Sequence, residues 1–270
     1  MEIPSSAKSC EPSYQDVVSQ FPLLNAYSNF LGIFELADNI PRKAVVSSVR
    51  AALDELKTLI PWLGYEVVNT GGPGGSGYIA AKPWPAGVVR HDFFVKQCDD
   101  LVASFADLAQ AGFPVSMLPA SILEPWPSLP IPATISPAPV SGMQLSFIQG
   151  GVIITICEHH TMVDGTGIHA FRRVLAVLLN GQGIPNHELV AANMNRARVI
   201  PLLAEGEPVK DHSHLLPRSP QDPEKGLPPP LPMPARWCVF RISRQAVEAI
   251  CSLASDRDSR PGFPRSRRSQ

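Results

Sequence analysis

The chain has 270 residues, of which 44% are hydrophobic and 17% charged, so it can bury a core and lies outside the composition of disordered chains. Its 23 Lys and Arg nearly balance 24 Asp and Glu, a net charge of -1 that gives no global electrostatic drive toward nucleic acid or an anionic membrane. Proline is the outlier: 29 residues is about twice the ordinary ~5%, yet with 19 glycines the chain stays short of the roughly 25–30% that marks low-complexity sequence.

Five cysteines, Cys10, Cys98, Cys157, Cys238 and Cys251, are odd in number, far apart and without C-x-x-C spacing, which argues against a disulfide framework and a zinc site. They read as buried thiols of a reducing compartment. No stretch approaches ~18 uninterrupted apolar residues. The opening residues, Met1-Glu2-Ile3-Pro4-Ser5, lack the basic and apolar regions of a signal peptide. A soluble cytoplasmic protein is expected.

Residues 30–36 are aromatic and β-branched and predict a strand. Asp38 or Asn39 is then expected to cap a helix with Pro41 in its first turn. Val45, Val46, Val49, Ala52, Leu53, Leu56 and Ile60 recur at helical spacing up to Pro61. A strand is expected over 64–68. Gly72-Pro73-Gly74-Gly75-Ser76-Gly77 matches G-x-G-x-x-G, but a dinucleotide loop must open a helix, whereas 78–81 reads as a strand and Pro83 and Pro85 forbid a helix. It is a loop between strands. Another strand is expected over 88–94, followed by an amphipathic helix carrying Leu101, Val102, Phe105, Leu108 and Ala109.

Eighteen of the prolines fall in two windows, eight in 114–139 and ten in 201–234. Proline fixes φ and removes a donor, so these windows predict surface connections, a better reading of Pro127-Ser128-Leu129-Pro130 than a P-x-x-P ligand. Between them, 144–148 and 152–156 form two strand-like runs around Gly150-Gly151, a hairpin signal. Ile168, Phe171, Val174, Leu175, Leu178 and Leu179 then mark a helix ending at Asn180-Gly181. Past the second window, 236–242 predicts a strand and Ser243 caps a helix with Val247, Ile250, Cys251 and Leu253. Residues 256–270 hold five arginines and no aliphatic side chain and predict a disordered basic tail.

His159-His160-Thr161-Met162-Val163-Asp164-Gly165 sits on the strand-to-helix turn that follows the hairpin. Histidine takes and returns a proton near neutrality, and at a strand end a substrate can reach it. An aspartate at a helix start can orient the loop through an arginine or backbone donors, and the glycine after it allows close approach or an unusual φ. Three readings stay open: a general-base histidine, a metal pair, and core histidines without a chemical role. A metal needs a third ligand, which His212 or His214 could supply only from a proline-rich segment. A nucleophilic Cys157 is weaker, since 157 and 160 need not share a strand face.

These seven residues resemble the HHxxxDG signature of the CoA-dependent acyltransferase superfamily, and the surroundings resemble BAHD and fungal trichothecene O-acetyltransferase-like enzymes. Those surroundings are 27–36, Ile60-Pro61-Trp62-Leu63-Gly64, Gly165-Thr166-Gly167 leading into Phe171, and Trp237-Cys238-Val239-Phe240-Arg241-Ile242-Ser243. The likeness runs from about residue 14 to 255. It implies an α+β fold, a mixed sheet flanked by helices, with the hairpin central and His160 at its exposed end. It also implies a transferase in which His160 deprotonates an alcohol or amine of a specialised metabolite that attacks acyl-CoA. Asp164 would then be structural, acting through an arginine that the sequence does not single out, with His159 and Gly165 supporting the motif. Acyl-CoA is a co-substrate; no bound cofactor, metal, nucleic acid or membrane is expected.

The family's second motif, DFGWG, is absent from the chain. The expected organisation is therefore an N-terminal lobe over 1–200, a proline-rich crossover over 201–235, the start of a truncated second lobe over 236–255 and the basic tail over 256–270. A truncated gene, an altered reading frame at the end, or a half-enzyme that pairs with a chain supplying the missing lobe would each have this organisation. The alternatives of other kinds are an inactive fragment acting as a binding or interaction module, and a condensation-type domain.

Overall fold

The computed structural model describes residues 18–21, 24–69, 79–128, 138–196, 199, 206–208, 210–211 and 242–255. The chain divides into two compact units, Met1–Leu216 and Pro217–Gln270. The first unit is built on a four-stranded sheet. Strand β1 spans Tyr27–Glu35, and helix α1 follows over Arg42–Leu59. Strands β2 (Glu66–Asn69), β3 (Ile79–Lys82) and β4 (Phe93–Gln97) precede two short helices, α2 (Phe105–Ala111) and α3 (Ala120–Leu123). Strand β5 (Ala138–Pro139) leads into the hairpin β6 (Ser141–Ile148) and β7 (Gly151–His159). Helices α4 (Gly165–Leu179) and α5 (Asn186–Ala192) complete the described elements of this unit.

The main sheet has the order β1-β7-β6-β4, antiparallel except for the parallel β6–β4 pair, so the sheet is mixed and the hairpin occupies its centre. A smaller antiparallel sheet, β3-β2-β5, lies alongside in sequence. The hairpin turns at Gly150, whose φ of 69° belongs to the left-handed region that glycine adopts without strain. All eight residues of β6 are buried, as a central strand covered on both faces requires.

Strand alternation sorts the side chains onto two faces. Met143, Leu145 and Phe147 of β6, with Val152 and Ile156 of β7, join Val49, Leu53 and Leu56 of α1 and Phe171, Val174 and Leu175 of α4 in the larger core. Ile148 and Ile153 turn the other way and pack with Cys98, Val102, Leu108 and Leu123. Helices on both faces of a mixed sheet make this an α+β lobe.

Several expectations need correction. Pro41, rather than Asp38 or Asn39, is the N-cap of α1, and no side chain caps that end. The strand expected over 88–94 forms only at its end and runs on to Gln97. Val88 and Val89 are exposed beside a turn in which the Val88 N–H donates to the Pro85 carbonyl. Helix α2 starts at Phe105 because Ser104 caps it, accepting the Asp107 N–H, and Leu101 is left outside and exposed. Helix α5 was not anticipated.

The window 114–139 is no mere surface connection. Leu123 is fully buried, Trp126 stacks on Tyr27 at 4.9 Å between ring centroids, and Ala138 and Pro139 are buried in β5. Sheet side chains hold its backbone: Thr155 Oγ1 donates to the Leu123 carbonyl and Gln144 Nε2 to that of Ile122. Prolines free a chain from donating, not from being packed.

In the second unit, helix α6 (Arg244–Ser255) has Ser243 at its start, accepting the Ala246 N–H at 3.1 Å. The expected strand over 236–242 falls outside the described residues except for Ile242, as do the glycine loop of 72–77, His212, His214, Pro130 and the basic tail.

Candidate active site

The motif begins on the last residues of β7. Because side chains alternate along β7, Glu158 faces one side and Cys157 and His159 the other, while His160, the first residue past the strand, lines the same cavity as Glu158. The backbone carries this geometry into the turn: the His159 N–H donates to Val140 and the His160 N–H to Ala26, at 2.8 and 2.7 Å. The two histidines are thus neighbours in sequence with opposite surroundings.

His159 is fully buried. Its Nδ1 lies 2.7 Å from Thr161 Oγ1, and its ring meets the Tyr27 ring edge-on at 5.2 Å. Burial, and next the neighbouring His160, push its pKa down to about 4, so it is neutral near pH 7. Cys157 is buried beside it, and burial followed by Glu124 and Glu158 raises its thiol far above the ordinary range. It stays protonated and faces away from His160, so it is no nucleophile.

His160 is half-buried and lines a cavity of about 850 Å³ between the end of α1, the motif turn and helices α4 and α5. Its Nδ1 is buried without a hydrogen-bond partner among the described residues. The wall is largely apolar, with Leu56, Trp62, Val163 and Phe171, and Arg173 and Arg196 add positive charge.

Asp164 caps α4: its Oδ1 accepts the Gly167 N–H at 2.8 Å, satisfying one of the donors a helix start leaves free. Among the described residues no ion pair reaches Asp164. An arginine does hold the turn, but elsewhere: Arg196 Nη1 donates to the Met162 carbonyl at 3.3 Å while its guanidinium lies over the Trp62 ring.

The close approach expected at Gly165 belongs to Gly167. A Cβ at 167 would fall 2.5 Å from Val163 Cγ1, whereas one at 165 would meet open space and φ there is not positive.

Glu158 was missed. It is 1% exposed, neither carboxyl oxygen has a hydrogen-bond partner among the described residues, and burial pushes its pKa up to about 8. Its signal was present in the sequence: one acidic residue closing an apolar strand just before the two histidines. Among the described residues no three His, Cys, Asp or Glu side chains gather to hold a metal ion, and no helix is long and apolar enough to cross a membrane.

A mixed sheet whose central hairpin delivers His-His-x-x-x-Asp-Gly into the start of a helix defines the class of CoA-dependent acyltransferase lobes. The chain belongs to the trichothecene 3-O-acetyltransferase-like N-terminal domain family, which matches residues 26–178. It is 39% identical over 253 residues to the O-acetyltransferase SAT5 of Stachybotrys chartarum, covering 93% of this chain and 53% of that protein. It is 35% identical over 260 residues to the O-acyltransferase pigD of Monascus ruber, covering 90% and 54%. The fold matches that of F. graminearum TRI101 complexed with coenzyme A and deoxynivalenol, with a TM-score of 0.64 and 27% identity over 70% of this chain and 43% of that one. The chain spans about half the length of the curated relatives it matches.

Proposed function

We propose that the chain works as an acyl-CoA-dependent acyltransferase of specialised metabolism, moving an acyl group, acetyl by analogy with its O-acetyltransferase relatives, to a hydroxyl or amine with His160 as general base. The observation that carries this is the division of labour at the end of β7: His160 opens onto the cavity while His159 is sealed into the opposite face. The imidazole takes the acceptor's proton as its oxygen or nitrogen attacks the thioester carbonyl. The tetrahedral intermediate then collapses, and the departing CoA sulfur receives the proton back. No acyl-enzyme forms. Acyl-CoA enters as co-substrate, and Asp164, His159 and, in place of the expected Gly165, Gly167 keep the turn in shape. Among the described residues Cys98 and Cys157 are the buried free thiols expected of a reducing, cytoplasmic setting, whereas Cys251 is free but exposed, against the expectation that it is buried.

In the test, the full chain is incubated with acetyl-CoA and a panel of hydroxylated acceptors while free CoA thiol is followed. His160→Ala is expected to lower release about a hundred- to ten-thousand-fold, the ordinary worth of general-base help. An unaltered rate in that variant overturns the mechanism.

A further inference from the structure

Buried polar side chains are hydrogen-bonded almost without exception, and a carboxyl left unpaired in an apolar setting is costly. Among the described residues Glu158 breaks that rule at both oxygens while lining the cavity that holds His160. Strand neighbours do not explain it. In register it stands between Ser28 of β1 and Ser141 of β6, and the Ser141 hydroxyl donates instead to the Leu63 carbonyl. Nor does an ion pair: Arg173, which shares the cavity, is engaged by Glu188, and Arg196 by the Met162 carbonyl. A carboxyl serving only the fold would have been given one of these partners.

The unpaired groups of the cavity converge. Glu158 near the end of β7 and His160 just past it both line this cavity. His160 Nδ1 is itself buried and unpartnered. Around both, Leu56, Leu63 and Phe171 are apolar. An apolar pocket with a few convergent polar groups is the arrangement of a small-molecule site, in which those groups fix orientation.

We propose that Glu158 orients the acceptor, its carboxyl hydrogen-bonding a second hydroxyl of the alcohol whose reacting hydroxyl faces His160. The substrate class is therefore an apolar alcohol that carries a second hydroxyl besides the reacting one, as a diol does. The inference rests on the acyltransferase reading and deepens it. Glu158 takes no proton from the reacting hydroxyl and is a positioning residue. Its effect falls on which alcohols bind, because a site built to bond a hydroxyl rejects the analogue that leaves its buried partner unpaired.

The experiment uses the full chain and two probes, the vicinal diol of tetralin and the corresponding mono-alcohol. Binding is followed by tryptophan fluorescence, since Trp62 lines the cavity, and acetyl-CoA is titrated separately. The wild type is expected to bind the diol about tenfold more tightly than the mono-alcohol, the worth of one good hydrogen bond. Glu158→Met, apolar and of similar length, removes that preference and leaves acetyl-CoA binding unchanged. Glu158→Gln keeps the size and the hydrogen-bonding capacity, retains the preference, and guards against a folding artefact.

A preference that survives Glu158→Met overturns the proposal, as does its absence in the wild type. A loss confined to acetyl-CoA binding overturns it too, by assigning the carboxyl to the donor. Failure of the acyltransferase reading looks different. If the diol preference is present and Glu158-dependent but neither probe is acylated, Glu158 stands as the orienting residue and the transfer chemistry falls.

Discussion

Asp164 is where a motif residue acquires a role that its place in the motif does not reveal. Its carboxylate faces the start of α4 and accepts the Gly167 N–H, and the crowding of Gly167 against Val163 keeps that donor in place. Replacing an N-cap carboxylate by alanine costs about 1 kcal/mol, whereas asparagine caps almost as well. Asp164→Ala is therefore expected to lower the unfolding free energy by about that amount, and Asp164→Asn to leave it nearly unchanged, as read by denaturant titration. If Asn is as harmful as Ala, the charge itself matters and an ion pair, not a cap, is the role. The motif and its strand-to-helix setting were legible in the sequence; that His159 is sealed in while His160 lines a cavity was not, because burial depends on what packs against each face. The cap was legible only as one of two options. The crowded glycine was assigned two residues early, since a Cβ clash depends on a side chain one turn back that spacing alone does not locate.

At the scale of elements, the legible parts were those with strong periodicity. The hairpin, α1 and α4 lie close to where apolar spacing puts them, because each must bury one face against the other two. Short pieces were read less well. Helices α2, α3 and α5 have seven, four and seven residues, too few for periodicity to decide, and of the three only α2 has a side-chain cap, from Ser104. The window 114–139 shows the cost of reading proline as a sign of exposure. Its Leu123 side chain is fully enclosed with Cys98, Val102, Leu108, Ile148 and Ile153. Leu123→Ala should accordingly destabilise the fold by about 2–5 kcal/mol, the range for a buried leucine that leaves a cavity. Chemical denaturation checks it: a loss below about 0.5 kcal/mol, the ordinary value for a surface position, would return the segment to a loose connection.

For the molecule as a whole, the consequence of placing Glu158 and His159 side by side in a buried strand end is a pH profile of stability. Both are neutral when folded near neutrality, and folding disfavours the charged form of each, with opposite dependence on pH. The carboxyl's pKa rises from 4.5 to about 8 on folding, so between those values the folded state holds a proton that the unfolded state has lost, and stability falls as pH rises. The imidazole's pKa drops from 6.5 to about 4, so between those values the unfolded state holds the extra proton, and stability falls as pH falls. At about 1.4 kcal/mol per pH decade, the full swings are of order 5 and 3 kcal/mol. From 4.5 to 6.5 the two slopes oppose each other and cancel, leaving a plateau with a long alkaline decline and a short acidic one. Thermal melts across this range should show it. Glu158→Gln removes the alkaline decline: the variant should be more stable than the wild type near pH 8, with the difference shrinking as pH falls and vanishing near 4.5, below which only the His159 limb remains. A variant less stable than the wild type near pH 8 would mean that the carboxyl has a partner in the folded protein. It would then be part of the scaffold, and no longer available to a ligand. The same substitution thus separates the two ways a buried acid can be retained. If Gln stabilises the chain and still holds the diol, the acid is a liability to the fold kept in the wall of a binding cavity.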